Sequence, residues 1–117
     1  MALRAATAED YAALFGEPAP GDWFGLVSAR PHLIEGMGLA YRDARDRWWL
    51  GLMRAPGIGK TGLAHRGARK LMAMADERGV TLHAMCDPRF DGTERWLARL
   101  GFAPTAETMG GIVVWTR

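Results

Sequence analysis

The sequence predicts an α/β (α+β) fold, a mixed and mostly antiparallel central sheet flanked by helices. Three observations carry that expectation. Apolar and aromatic runs at 23–28, 34–41 and 47–53 follow one another across short polar turns, as the strands of an antiparallel meander do. A helical periodicity comes next, from 61 or 62 to about 78. A strand, a short helix and a last strand then complete the chain, so helices and strands alternate and must pack as layers.

Each element has its own local cause. Leu3-Arg4-Ala5-Ala6 is a short run ending at Thr7, which reads as the N-cap of a helix with Glu9 and Asp10 in its first turn. Tyr11, Leu14 and Phe15 recur at helical spacing until Gly16 stops the helix. Glu17 to Asp22 holds two prolines and a glycine and reads as a rigid loop. Trp23 to Ser28 is aromatic and β-branched, with Pro31 ending or edging it. Ile34 to Tyr41 carries glycines at 36 and 38, the mark of a bulged or closely approached strand. Asp43-Ala44-Arg45-Asp46 is a polar turn before the strand Arg47 to Met53. On the long helix, Ala64, Ala68, Leu71, Met72 and Ala75 form a small-residue face suited to a sheet, and Gly79 caps it. Val80 to Cys86 is a buried strand closed by Asp87-Pro88. Asp91-Gly92-Thr93-Glu94 has capping-box form before a short helix through Leu100. Ile112 to Trp115 makes the last strand after Gly110-Gly111, which leaves Ala103–Gly111 as a loop.

The 117 residues suffice for one domain, 1–117, with one core. Hydrophobic content of 49% and charged content of 24% are those of a soluble globular protein. No apolar run has the length of a membrane span, and Met1-Ala2-Leu3-Arg4 does not open a signal peptide. The single cysteine, Cys86, excludes an internal disulfide and a cysteine-rich zinc site, and a cytoplasmic setting is the default. In its apolar run, Cys86 reads as a small buried filler. A net charge of +2 argues against a global field for nucleic acid. Six basic residues (Arg47, Arg54, Lys60, Arg66, Arg69, Lys70) nevertheless fall between 47 and 75 with no acid among them.

They surround the stretch that carries the chemistry, Arg54-Ala55-Pro56-Gly57-Ile58-Gly59-Lys60-Thr61. A glycine loop between a strand and a helix start lets backbone N–H groups and the positive dipole end approach a phosphate. The tripeptide Gly59-Lys60-Thr61 suggests a nucleoside-triphosphate loop, but that motif needs a glycine five residues before Gly59, where Arg54 stands. The pattern that fits is Arg-x-x-Gly-x-Gly, met by Arg54, Gly57 and Gly59.

This loop resembles the pyrophosphate-binding loop of the GNAT superfamily of N-acetyltransferases. The element order β-α-β-β-β-α-β-α-β is similar to that family's. Leu3-Arg4-Ala5-Ala6-Thr7 with Asp10 resembles its opening, and Trp96-Leu97-Ala98-Arg99-Leu100-Gly101-Phe102 its closing helix and turn. The resemblance implies a GNAT-like sheet in which the strand before the glycine loop splays from the next parallel strand, with the pantetheine arm of acetyl-CoA in the gap. It further implies that backbone groups of Leu52 and Met53 line that arm. Amides of Gly57, Ile58, Gly59, Lys60 and Thr61 would hold the pyrophosphate, with Arg54 and Lys60 adding charge.

The family's catalytic groups are not matched in full. Many members carry a carboxylate on the strand before the loop, where this chain has Arg47-Trp48-Trp49-Leu50. Many carry a tyrosine four residues before the glycine of the closing turn, which here is Leu97. Asp87 and Glu35 are the carboxylates proposed as general base. His83 and His32 titrate near neutral pH, although a lone histidine in a strand is more often structural. No recognised metal-ligand spacing occurs. The short chain with its tryptophan-rich strand also resembles the small GNAT-like proteins of phages and prophages, some of them virion components without evident catalysis. That resemblance gives the alternative of a structural or accessory role. The amine acceptor is unspecified, and Trp23, Trp48 and Trp49 read as exposed and open to a homo-oligomeric contact.

Overall fold

The computed structural model describes residues 2–30, 33–54, 62–87 and 92–117. In chain order the elements are β1 (Ala2–Ala5), α1 (Ala8–Phe15), β2 (Trp23–Arg30), β3 (Leu33–Arg42), β4 (Trp48–Arg54), α2 (Gly62–Glu77), β5 (Leu82–Cys86), α3 (Thr93–Arg99), β6 (Ala103–Met109) and β7 (Ile112–Thr116). The strands form one sheet in the order β1-β2-β3-β4-β5-β7-β6. Every neighbouring pair is antiparallel except β4 and β5. The mixed, mostly antiparallel architecture and the meander of β2, β3 and β4 are as the sequence predicts.

One element differs from expectation. The segment 103–111, read as a loop, contains β6, which pairs with β7 from Ala103↔Thr116 to Met109↔Ile112. β6 is the edge strand and almost wholly exposed, so it shows no apolar alternation to betray it. An edge also tolerates Pro104, whose missing N–H costs no ladder bond there. The Thr105 hydroxyl donates to the Val114 carbonyl at 2.6 Å and fastens the irregular middle of the pair. The capping box expected at 91–94 rests on Asp91, which lies outside the described residues. α3 begins after Gly92, which sits in the left-handed region at φ 82°.

The other helix signals hold. Thr7 caps α1, with the Asp10 side chain completing the reciprocal box, and Gly16 ends the helix in the left-handed region at φ 75°. Ala68, Leu71, Met72 and Ala75 of α2 are buried, with Leu71 and Ala75 fully so. They pack on Phe24, Ala40, Leu82, Ala84 and Trp115 of the sheet and meet Leu97, Leu100 and Phe102 from the α3 end. The opposite face carries a second cluster of Tyr11, Val27, Met37 and Leu39, where α1 covers β2 and β3. The sheet is thus sandwiched between α1 and the pair α2–α3.

Glycine shapes the middle of this sheet. A Cβ on Gly25 would stand 2.6 Å from the Gly38 carbonyl oxygen, so β2 and β3 approach more closely there than any side chain allows. Between Ser28 and Ala29 the register shifts, with Ser28 opposite Gly36 and Ala29 opposite Ile34. Glu35 is therefore the extra residue of a β-bulge.

Candidate functional site

The two parallel strands stay together for only two residue pairs, Trp48↔Leu82 and Trp49↔His83. Past that point β4 follows β3, in register to Gly36↔Arg54. β5 follows β7 instead, from His83↔Thr116 to Cys86↔Val113. The sheet therefore divides after Trp49 and His83 into a V. One side is Leu50–Arg54 and the other Ala84–Cys86. Along both inner edges the backbone has no strand partner among the described residues, although a sheet ordinarily pairs such groups. A gap lined by unpaired N–H and C=O groups in mid-sheet is a slot for a ligand that can itself hydrogen-bond as a strand would.

Large rings fill the apex. Trp48 packs against Phe24 on the α2 face, centroids 5.4 Å apart, and Trp49 meets the His83 ring on the opposite face, also at 5.4 Å. The Trp49 indole N–H donates to Asp43 Oδ2 at 2.7 Å, while Asp43 Oδ1 accepts from the Arg45 and Arg47 amides at 2.8 and 3.0 Å. The indole bond foremost, with the amide bonds behind it, holds the Asp43 carboxyl below its ordinary range. The Arg47 guanidinium lies 4.9 Å from the Trp49 ring centroid and makes a two-point bond to Glu107 of β6 at 2.8 and 2.9 Å. Trp49 is thereby fixed from its edge and its face.

His83 shares this apex. Its Nδ1 is 3.1 Å from the Trp48 carbonyl oxygen. A carbonyl only accepts, so Nδ1 carries the hydrogen and the neutral ring keeps its lone pair on Nε2. Two residues further along the same face of β5, Met85 is 42% exposed, so the face opens to solvent just beyond the histidine.

The other sequence-derived residues are distributed as follows. Leu52 lies on β4 within the V and is 49% exposed, a large apolar residue at the lip of the gap. Met53 and Arg54 end β4, and only their backbone is described. Gly57, Ile58, Gly59, Lys60 and Thr61 lie outside the described residues, as do His32 and Pro88. Asp87 directly follows β5 and is half-buried. Glu35 is the bulge residue of β3, one position from the Gly36↔Arg54 pair. Along the chain, Glu35 thus belongs to β3 and Asp87 to the segment after β5, with β4 between those two strands in the sheet.

Other expectations need correction. Arg47 belongs to the apex and to Glu107, so it is not part of a phosphate-facing basic cluster. Arg66, Arg69 and Lys70 are exposed along α2. Trp49 is buried, and Trp48 and Trp23 pack against the two cores, so the tryptophans make no exposed patch. Leu97 is 2% exposed within the α2–α3 core. Cys86 is buried, and burial, helped by Glu94 and Asp87, pushes its thiol up. A cavity of about 330 Å³ beside it is walled by Glu94, Pro104, Val113 and Trp115, on the β7–β6 side of the V. No group of three His, Cys, Asp or Glu residues that could hold a metal occurs among the described residues. No helix among them is long and apolar enough to cross a membrane.

No family model matches the sequence, and no curated protein matches it. Solved structures do match the fold. The yncA protein of Salmonella typhimurium, described as a candidate acetyltransferase and solved with its cofactor acetyl-CoA, superposes with a TM-score of 0.73 at 16% identity, covering 100% of this chain and 92% of its own. The GNAT domain of S. lividans PAT gives a TM-score of 0.70 at 15% identity, covering 96% and 69%. A Bacillus subtilis acetyltransferase in complex with CoA gives 0.62 at 10% identity, covering 80% and 75%. The fold is that of the GNAT acetyltransferases.

Proposed function

We propose that this domain is an N-acetyltransferase-type member of the GNAT superfamily, which takes acetyl-CoA as co-substrate and passes the acetyl group to an amine by direct attack. The observation that carries the reading is the parting of β4 from β5 after Trp49 and His83, on the strand that runs straight into the glycine loop. Two features of this chain suit the co-substrate. The edges of the gap offer backbone groups without strand partners among the described residues, and the first turn of α2 contains no acidic residue to repel phosphate. The structures solved with acetyl-CoA and with CoA support the same choice.

On this reading the amides of Gly57 to Thr61 hold the pyrophosphate, with Arg54 and Lys60 supplying charge. Backbone groups of Leu52 and Met53 hydrogen-bond the pantetheine amides, and the Leu52 side chain shields them. From Arg54 back to Trp49 is about 16 Å of extended strand. The reacting end therefore lies deep in the V, near the apex. Bound there, acetyl-CoA supplies an activated thioester carbonyl. The fold contributes mainly proximity and backbone polarisation of that carbonyl. Asp87 is four residues beyond His83, about 13 Å of strand. Asp87 at the mouth would serve as a proton relay to solvent. No membrane or nucleic-acid partner is needed.

A second reading keeps the fold without the chemistry, as a phage or prophage protein with a virion or accessory role. Two observations favour it. β4 carries no carboxylate, and Leu97, where a tyrosine would protonate the thiolate, is sealed in the core. Calorimetric titration with acetyl-CoA decides between them. The transferase reading expects micromolar binding that Gly57→Asp or Lys60→Glu abolishes. No heat at millimolar acetyl-CoA would leave only the second reading.

A further inference from the structure

We propose that His83 is the group that takes the proton from the incoming amine, an assignment that rests on the acetyl-transfer reading above. A base for this step must stand where the thioester ends, must present a lone pair, and must be held still. His83 meets each requirement from geometry. It is the last β5 residue paired with β4, so it marks the apex of the V. The Trp48 carbonyl fixes the hydrogen on Nδ1 at 3.1 Å, which leaves Nε2 as the basic nitrogen. Trp49, itself pinned by Asp43 and Arg47, packs against the ring at 5.4 Å with the planes tilted by 43° and limits its rotation. A histidine kept only for structure has no need of an open face beyond it, yet Met85 two residues on is 42% exposed.

The charged groups around this apex come from several elements. Asp43 of the β3–β4 turn is used up by the indole and two amides, and Arg47 is used by Glu107 of β6. Thr116, the partner across on β7, is neutral. Tyr41 of β3, opposite Trp49, brings a hydroxyl to the same face, so His83 is the group of the apex with a basic nitrogen to spare among the described residues.

The step balances as follows. Nε2 takes one proton from the ammonium form of the acceptor. The freed amine nitrogen attacks the thioester carbonyl carbon and forms the N–C bond. The C–S bond then breaks with its electron pair leaving on sulfur. The second amine proton goes to the thiolate through water, and the imidazolium returns its proton to solvent. The products are the acetamide and the CoA thiol.

The test pairs one spectroscopic and one kinetic measurement. In the free protein, ¹⁵N NMR should show neutral His83 protonated on Nδ1; an Nε2–H tautomer would overturn the assignment whatever the domain binds. For kinetics, His83→Asn keeps a donor where Nδ1 stands and removes Nε2, so acetyl-CoA affinity by calorimetry should stay within about twofold of wild type. Thiol release is then followed with ethylamine and with 2,2,2-trifluoroethylamine, similar in size and very different in basicity. His83→Asn should lower kcat roughly 100-fold or more for ethylamine, the usual worth of a positioned base. It should cost far less for trifluoroethylamine, which is already unprotonated. With ethylamine the variant's rate should simply follow the free-amine fraction as the pH rises, whereas the wild type's should not, because Nε2 takes the proton from the ammonium form. Equal losses for both amines would mean a structural role. No loss would remove His83 alone, and no acetyl transfer to either amine by a wild type that binds acetyl-CoA would remove the transfer step and His83 with it. A wild type that does not bind acetyl-CoA removes the transferase reading and this assignment together.

Discussion

Arg4 and Asp10 clasp each other through two parallel bonds, Nη1 to Oδ2 at 2.6 Å and Nη2 to Oδ1 at 2.9 Å, and so tie β1 to α1. Asp10 also accepts from the Thr7 amide at 2.8 Å and the Thr7 hydroxyl at 2.9 Å, which makes one buried carboxylate both ion-pair partner and helix cap. Arg4 foremost, and then Thr7, holds this carboxyl far below the ordinary carboxylate range.

Because the folded value lies below the unfolded one of about 3.9, the unfolded chain binds the proton more readily. The stabilisation is complete above that pH and is lost as the pH falls through it towards the folded value. Asp10→Asn should cost about 2 kcal/mol at neutral pH and should flatten the acid limb of stability. Urea denaturation of both proteins between pH 3 and 7 checks this. A parallel pair of curves would show that Asp10 is not the titrating group.

The same motif shows how much was legible beforehand. Thr7, Asp10 and Gly16 announce α1 because capping is local and written in adjacent residues. The split of the sheet is non-local. It depends on β5 leaving β4 for β7, a strand some thirty residues later, so only the family resemblance suggested it. β6 was missed because an exposed edge strand has no apolar face to alternate. His83 was undervalued for a related reason: its worth comes from a carbonyl on another strand, Trp48, and from its place at the last parallel pair. The tryptophans misled in the opposite direction, since their side chains are consumed by two cores and by Asp43.

Gly25→Ala should be costly out of proportion to its size. Its Cβ would meet the Gly38 carbonyl oxygen at 2.6 Å, and backbone in mid-sheet has little room to yield. A loss of about 1–3 kcal/mol is expected, read as a lower melting temperature. Gly21→Ala, with open space around it, is the control and should change little.

Leu97→Tyr should not restore a leaving-group acid. The position is 2% exposed among Ala84, Cys86, Leu100 and Phe102, so the larger ring overpacks the core and its hydroxyl is trapped there. We expect a loss of about 1–3 kcal/mol in stability and no gain in thiol release at saturating acetyl-CoA. A faster variant would show that the closing helix faces the gap after all.

Cys86 should be silent in the folded protein. Burial pushes its thiol up, and the nearby Glu94 and Asp87 add to the effect. Reaction with an aromatic disulfide reagent should be orders of magnitude slower in buffer than in denaturant. Comparable rates would place the thiol at the surface.

The most direct test of the account is amide NMR of the V during titration with acetyl-CoA. Slowed exchange and shifted resonances at Leu50–Leu52 and Ala84–Met85, with the β6–β7 pair unmoved, are the predicted result, because the thioester arm would take the place of the missing strand partner. Shifts confined to the exposed basic face of α2 at Arg66, Arg69 and Lys70, or no shifts at millimolar acetyl-CoA, would contradict it.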